Sequence, residues 1–127
     1  RSVAFKYNLR RRGMIQDTVH TTEPDTLYAR GVELLKRRSY TEAMNVLYPY
    51  RDRNSVIALL SLGYDRTSYE IVRELPAGPE NDYLHAIVAM RLDLRDEAAE
   101  HFARAAEAEP RMKFRARLDP ELTELVQ

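Results

Sequence analysis

The sequence repeats one spacing of small and large residues, first in residues 28–47 and again in residues 83–102. The two copies align without a gap at an offset of 55 residues. The aligned pairs are Tyr28 with Tyr83, Gly31 with Ala86, Val32 with Ile87, Leu35 with Met90, Lys36 with Arg91, Ala43 with Ala98 and Leu47 with Phe102. Side chains at this spacing share one face of a helix. We therefore expect each copy to form two helices that cross at the small residues.

The composition is that of a soluble globular chain. Its 127 residues are 44% hydrophobic and 31% charged, which suits one hydrophobic core. No run approaches the about 20 apolar residues that cross a bilayer, so no membrane span is predicted. The absence of cysteine excludes disulfides and thiolate metal sites.

Positive and negative charges cancel over the whole chain but not along it. There are 20 basic and 20 acidic residues. Residues 1–20 hold five cations and one acid, whereas residues 76–110 hold eight acids and three cations. A net charge of zero disfavours a surface adapted to nucleic acid. Nucleic-acid binding through residues 10–12, 36–38 and 111–117, with Phe114 and Tyr7 stacking on bases, is a less favoured alternative.

Helix start signals recur from Thr22 onward. Ser39 to Glu42 forms a capping box, and Asn54, Asp65, Asp93 and Asp119 can each cap the stretch that follows. These signals and the apolar periodicity predict seven short helices, at about 23–37, 40–51, 54–63, 66–75, 79–92, 95–109 and 119–126. Such short connections favour antiparallel helical hairpins, which bury their second apolar stripe by stacking.

The pattern of Gly31, Leu34, Tyr40, Ala43 and Leu47 resembles the tetratricopeptide repeat. Ala86, Ala89, Ala98, Phe102, Ala105 and Pro110 repeat it in the second copy. The resemblance implies an all-α, TPR-like stack of antiparallel helical hairpins with a short extended N-terminal arm. Its predicted parts are repeat 1 over 22–53, a shortened repeat 2 over 54–78, repeat 3 over 79–110 and a capping segment over 111–127.

Three residues depart from the family pattern. Arg30 and His85 occupy positions where the pattern prefers Leu, and Pro49 lies near the end of a predicted helix. A proline there should end or kink the helix.

Residues 1–21 show a different periodicity. Val3, Phe5, Tyr7 and Leu9 alternate with polar residues, and a second alternating run follows a turn at 10–13. Because an isolated hairpin is marginal in water, we expect an extended arm or the last strands of an upstream β domain. The first residue, Arg1, leads us to expect a piece of a longer chain.

No arrangement of residues predicts catalysis. Metalloprotease, phosphate-loop and nucleophile-elbow motifs are all missing from the sequence. His85 and His101 lie on paired predicted helices and could approach each other, but the sequence suggests no third ligand. Glu97 and Glu100 are interpreted as a solvated face opposite the stripe of Ala98 and Phe102. The chain is therefore predicted to be non-enzymatic, without cofactor or metal.

The resemblance instead implies a protein or peptide ligand on the first helix of each hairpin. The residues it places there include Tyr28 and Lys36 in the first copy and Tyr83 and Arg91 in the last. Two tyrosines and two cations beside an apolar strip suit a segment with an acid near a hydrophobic residue. The alternative is that the tyrosines are core residues.

The predicted function is a protein-interaction or assembly scaffold, one module of a larger chain. A purely structural cap is the alternative. The segments 28–40, 47–54 and 115–122 are also similar to C-terminal repeat tails of bacterial cell-envelope proteins. That likeness implies a location in the cell envelope.

Overall fold

The computed structural model describes residues 25–127, all of whose regular elements are helical. The seven α-helices are α1 (Thr26–Lys36), α2 (Tyr40–Leu47), α3 (Arg53–Ser61), α4 (Asp65–Val72), α5 (Pro79–Arg91), α6 (Arg95–Ala108) and α7 (Met112–Arg117). Two 3₁₀ turns complete the set, Tyr48–Tyr50 and Thr123–Val126. The all-helical class is thus confirmed for these residues, while the predicted arm over 1–21 lies outside them.

The chain divides into two compact units between Gly63 and Tyr64. The first unit contains α1 to α3, and the second contains α4 to α7 with the final 3₁₀ turn. The division falls between the two helices of the predicted middle repeat, 54–78. The grouping of helices into repeats stays a prediction.

In the first unit, α1 packs on α2, and α2 packs on α3. The two helices α1 and α2 approach closely at Gly31, where an added β-carbon would meet Leu47 Cδ2 at 2.7 Å and Val46 Cγ1 at 2.8 Å. Gly31 is buried, and Ala43 on α2 is completely buried. The small residues of the first copy therefore lie inside, as the sequence predicted.

Helix α2 ends where the proline predicted an end. Pro49 cannot donate a backbone hydrogen bond, and the chain tightens into the 3₁₀ turn before Arg51 takes a left-handed conformation with φ of 48°. Asp52 then caps α3, its Oδ1 accepting from the Ser55 amide at 3.0 Å. This turn sets the direction of α3 against α2.

In the second unit, α5 packs on both α4 and α6. One hydrophobic core of this unit holds buried residues from α5, α6, α7 and the C-terminal segment: Tyr83, Ala86, Phe102, Ala105, Ala106, Met112, Ala116 and Leu122. Ala86 and Ala98 have no exposed surface. The small residues of the second copy are thus buried as well.

Six predicted helices are present, with ends shifted by a few residues, but the seventh was wrong. Residues 119–126 form a turn and the 3₁₀ segment Thr123–Val126, and residues 112–117, for which no helix was predicted, form α7. The capping residues also differ, because Asp52, Tyr64 and Leu94 stand at the helix starts where Asn54, Asp65 and Asp93 were predicted. Over the described residues, none of the helices combines the length and the apolar character that a membrane span requires.

Candidate functional site

Two of the residues predicted to bind a partner, Tyr28 and Lys36, lie on α1 in the first unit. Lys36 is exposed at the end of the helix. Tyr28 is half-buried: its hydroxyl donates to Asp52 Oδ2 and accepts from Asn54 Nδ2 at 2.8 Å. Burial, followed by the bond to Asp52, raises the pKa of Tyr28. The phenol therefore joins α1 to the start of α3.

Tyr83 is a core residue of the second unit. Only 2% of its surface is exposed, and its hydroxyl donates to Asp119 Oδ2 at 2.8 Å. The Arg115 guanidinium lies over the ring, with Cζ 4.2 Å from the centroid. Burial, with the bond to Asp119 second, raises the pKa of Tyr83. The core alternative given above therefore describes this tyrosine.

Arg91 is engaged by two carboxylates of its own unit. Its guanidinium donates to Glu121 Oε2 at 2.6 Å and to Asp65 Oδ1 at 3.1 Å. This arrangement joins the end of α5 to the start of α4 and to the C-terminal segment. Arg91 thus pairs with acids of its own unit. The four residues predicted to bind a partner lie in two different units and in different environments.

The most exposed large apolar side chains among the described residues lie on α7 and directly after it. Phe114 is 66% exposed and Leu118, the residue after the helix, is 87% exposed, whereas Met112 and Ala116 on the opposite face are buried. Residues four apart share one face of a helix, so Phe114 and Leu118 form an apolar ridge. We call this pair the α7 ridge.

The segment that carries the α7 ridge is rich in cations. Residues 111–118 contain four cations and no acid. Arg117 Cζ lies 5.2 Å from the Phe114 ring centroid. Arg111 and Arg115 pair with Glu109 and Glu80, respectively.

An open cleft of about 360 Å³ lies beside the start of α7. Its walls come from α6, α7 and the C-terminal turn, and the lining residues are Ala99, Phe102, Ala103, Ala106, Glu107, Lys113 and Leu125. The lining is mostly apolar, with one acid and one cation. An open, mostly apolar cleft suits a side chain of a partner protein better than a small-molecule ligand, which needs a more enclosed pocket.

A second group of functional side chains lies between α5 and α6. Each helix contributes one carboxylate and one imidazole, and these pair crosswise. His85 Nε2 lies 2.6 Å from Glu97 Oε2, and His101 Nδ1 lies 2.9 Å from Asp82 Oδ1. The two imidazoles stack with centroids 3.6 Å apart and planes 7° apart. We call these four residues the histidine–carboxylate cluster.

The cluster is largely shielded from water. The exposed fractions of the His85, His101, Asp82 and Glu97 side chains are 8%, 18%, 11% and 30%. Burial lowers the pKa of His85, and the bond to Glu97 offsets only part of this effect. For Glu97, burial alone would raise the pKa, but hydrogen bonds from His85 and Tyr69 outweigh it and lower the pKa. A neutral imidazole facing an ionised carboxylate is the favoured state near neutral pH.

The interpretation of Glu97 as a solvated residue was wrong. Its Oε1 accepts from the Tyr69 hydroxyl at 3.0 Å, and its Oε2 contacts His85. Two signals pointed to this cluster. Glu97 and His101 are four residues apart on one helix face, and His85 replaces the leucine of the repeat pattern.

Comparisons of this chain with protein-family models, with curated proteins and with solved structures found no match. The geometry of the described residues therefore carries the functional proposal.

Proposed function

We propose that this chain is a non-enzymatic protein-interaction module of TPR-like helical hairpins, and that its second unit binds a partner segment through the α7 ridge. The observation that carries this proposal is the exposure of Phe114 and Leu118, at 66% and 87%. Large apolar side chains that stand together in water contribute to binding when a partner covers them.

The hairpin geometry supports the tetratricopeptide part of the proposal. Gly31 and Ala43 are buried in the α1 and α2 hairpin, and Ala86 and Ala98 are buried in the α5 and α6 hairpin. Hairpins of this kind commonly present surfaces to peptides and helices. The ridge differs from the predicted surface of Tyr28, Lys36, Tyr83 and Arg91, because it lies on a helix that the sequence pattern did not predict.

The charge around the ridge defines the partner. Lys113 and Arg117 flank the ridge, and the segment 111–118 carries four positive charges without an acid. A complementary segment places aliphatic residues on Phe114 and Leu118 and carboxylates beside the cations. The occupant is therefore a segment of a partner protein that combines aliphatic and acidic residues.

A protein segment suits this surface better than nucleic acid. Arg111 and Arg115 already pair with Glu109 and Glu80, so Lys113 and Arg117 are the cations of this segment outside these pairs. Two such cations suit one or two carboxylates better than the run of phosphates in a nucleic acid. Leu118 offers an aliphatic side chain, which has no aromatic face for a base. Nucleic acid remains the competing outcome of the experiment.

The experiment titrates the chain with three labelled synthetic peptides, observed by NMR and by fluorescence anisotropy. The first peptide carries two leucines four residues apart among glutamates, the second replaces the glutamates by lysines, and the third replaces the leucines by serines. We expect the first peptide to bind and to shift the resonances of Phe114, Leu118 and Lys113. The other two should bind at least about tenfold more weakly, because one loses the charge contact and the other loses the apolar contact.

The matched variant is the double substitution Phe114→Ala and Leu118→Ala. Since both side chains are exposed, the fold should be retained while the first peptide loses about tenfold or more in affinity. Lys36→Ala, on the other unit, serves as the control and should leave the affinity unchanged. Unaltered binding by the double variant would refute the proposal that the α7 ridge binds the peptide. If the chain instead bound a mixed single-stranded oligonucleotide more tightly, with an affinity that falls steeply with salt, the ligand would be nucleic acid and not a protein segment.

A further inference from the structure

The histidine–carboxylate cluster has the ligands of a metal centre. His85, Glu97 and His101 each offer one donor atom, and these three atoms lie within 4.8 Å of one another. Two imidazoles and one carboxylate form the kind of set that holds zinc with one position open. The ligands come from two helices of one hairpin, with Glu97 and His101 one turn apart on α6.

Two residues around these three ligands make the kind of contact that orients ligands in metal centres. Asp82 contacts His101 Nδ1 at 2.9 Å, which leaves the other ring nitrogen, Nε2, for a further contact. Tyr69 donates to Glu97 Oε1 at 3.0 Å and leaves Oε2 for a further contact. One ligand is thus oriented by a carboxylate and another by a phenol.

The stacking of the two rings favours one metal ion over two protons. Protonation of both imidazoles would place two positive rings face to face at 3.6 Å. A single divalent ion beside the carboxylates avoids that repulsion.

We propose that His85, Glu97 and His101 bind a divalent transition-metal ion of the zinc class, with Asp82 and Tyr69 as positioning residues. In the metal-free arrangement, a proton lies between His85 Nε2 and Glu97 Oε2, which are 2.6 Å apart. The metal ion displaces this proton, because a bound ligand must present a lone pair.

Binding also changes the ring geometry. Lone pairs in parallel stacked rings cannot point at one ion, and donors around tetrahedral zinc lie about 3.3 Å apart. The imidazoles must therefore rotate out of their stack. This rotation gives a readout in the unmodified chain that requires no substitution.

The first test titrates the EDTA-treated chain with ZnCl₂ by calorimetry and follows the imidazole nitrogen resonances by NMR. We expect one ion per chain and shifts of the His85 and His101 resonances. The third histidine, His20, is the internal control and should not shift. Absence of binding, or shifts limited to His20, would overturn the proposal. Because this test needs no variant, it does not depend on how a substituted chain folds.

The second test compares Glu97→Gln with Glu100→Gln on the same helix. Glu100 pairs with Arg104 and is not part of the cluster. Glu97→Gln should weaken zinc binding by about 100-fold or more, and Asp82→Asn by about 10- to 100-fold, whereas Glu100→Gln should leave it unchanged. Equal affinities of the two glutamine variants would show adventitious binding and refute the site.

Discussion

Gly31 determines how closely α1 and α2 approach. Leu47 and Val46 occupy the space that a β-carbon would need, at 2.7 and 2.8 Å. Alanine favours a helix over glycine by about 1 kcal/mol, so propensity alone would make Gly31→Ala stabilising. Overpacking of a filled interior costs about 1–3 kcal/mol. The steric effect is the larger of the two.

We therefore predict that Gly31→Ala lowers the free energy of unfolding by up to about 2 kcal/mol, measured by urea denaturation. Gly78→Ala is the control. Nothing lies within 4 Å of a β-carbon at Gly78, and its φ of 163° is extended. This change should alter stability by less than about 0.5 kcal/mol. Equal effects of the two substitutions would contradict close helix contact at Gly31.

Tyr83 gives a second prediction at this scale, through its ionisation. The unfolded chain releases the phenol proton near pH 10.0, whereas the folded protein holds it because the pKa of Tyr83 is raised. Stability contributed by this group is therefore present below pH 10 and falls as the pH rises above it. The slope reaches about 1.4 kcal/mol per pH unit.

Tyr83→Phe should remove this part of the alkaline pH dependence. At neutral pH it should cost about 1 kcal/mol, because Asp119 loses a hydrogen bond. Urea denaturation of both chains at neutral and at alkaline pH provides the measurement. If the difference in stability between wild type and variant stayed constant with pH, ionisation of Tyr83 would not be linked to folding.

At the scale of elements, α7 is the helix that the sequence did not predict. Caps and apolar periodicity identified six helices, since those signals are local to each segment. Residues 111–118 alternate basic and apolar residues, so no helical stripe was recognised. Met112 and Ala116 are nevertheless four apart and are buried on one helix face. Packing of residues 112–117 on the core formed with α6 decides that they are helical. This long-range contact leaves no signal in the local sequence.

The same limit applies to the candidate site. The apolar spacing predicted that α5 and α6 pair, and this placed His85 near His101. The contacts of Glu97 with His85 and Tyr69 depend on how the helices are rotated, which spacing alone does not fix. The sequence offers Phe114 as a base-stacking residue, whereas its place beside Leu118 on one face depends on helix α7.

Helix α7 also provides a prediction in which burial outweighs side-chain size. Met112 is 1% exposed and Phe114 is 66% exposed. Met112→Ala should lower the free energy of unfolding by about 2–4 kcal/mol, because it removes buried contacts and leaves a cavity. Phe114→Ala removes a larger side chain but should change it by less than about 0.5 kcal/mol. Thermal and urea denaturation of the two variants test this, and a reversed order would contradict the docking of α7 through Met112.

At the scale of the whole molecule, several ion pairs of the described residues lie at the surface. Pairs such as Arg37–Glu33 and Arg104–Glu100 have more than half of each side chain exposed. Exposed pairs contribute little to stability and are screened by salt. The folded state of the described units therefore depends chiefly on apolar packing.

We accordingly predict a small response to ionic strength. Between dilute buffer and about 1 M NaCl, the melting temperature should shift by about 5 °C or less, since screening removes only weak surface attractions. Calorimetric scans of the same sample at both salt concentrations measure the shift. Sodium chloride is the appropriate salt, because sulfate would also strengthen apolar burial. A collapse of the melting temperature in NaCl would indicate that ion pairs carry the stability.

The crosswise pairing of Asp82 with His101 and of His85 with Glu97 restricts how α5 and α6 can align. A slide of one turn in one direction would set Asp82 opposite Glu97, so that two carboxylates repel each other. A slide in the other direction would leave both carboxylates facing alanines. Either misalignment leaves a buried charged side chain without a partner, which lowers the stability of the folded state. These four polar side chains thus favour a single register of α5 against α6.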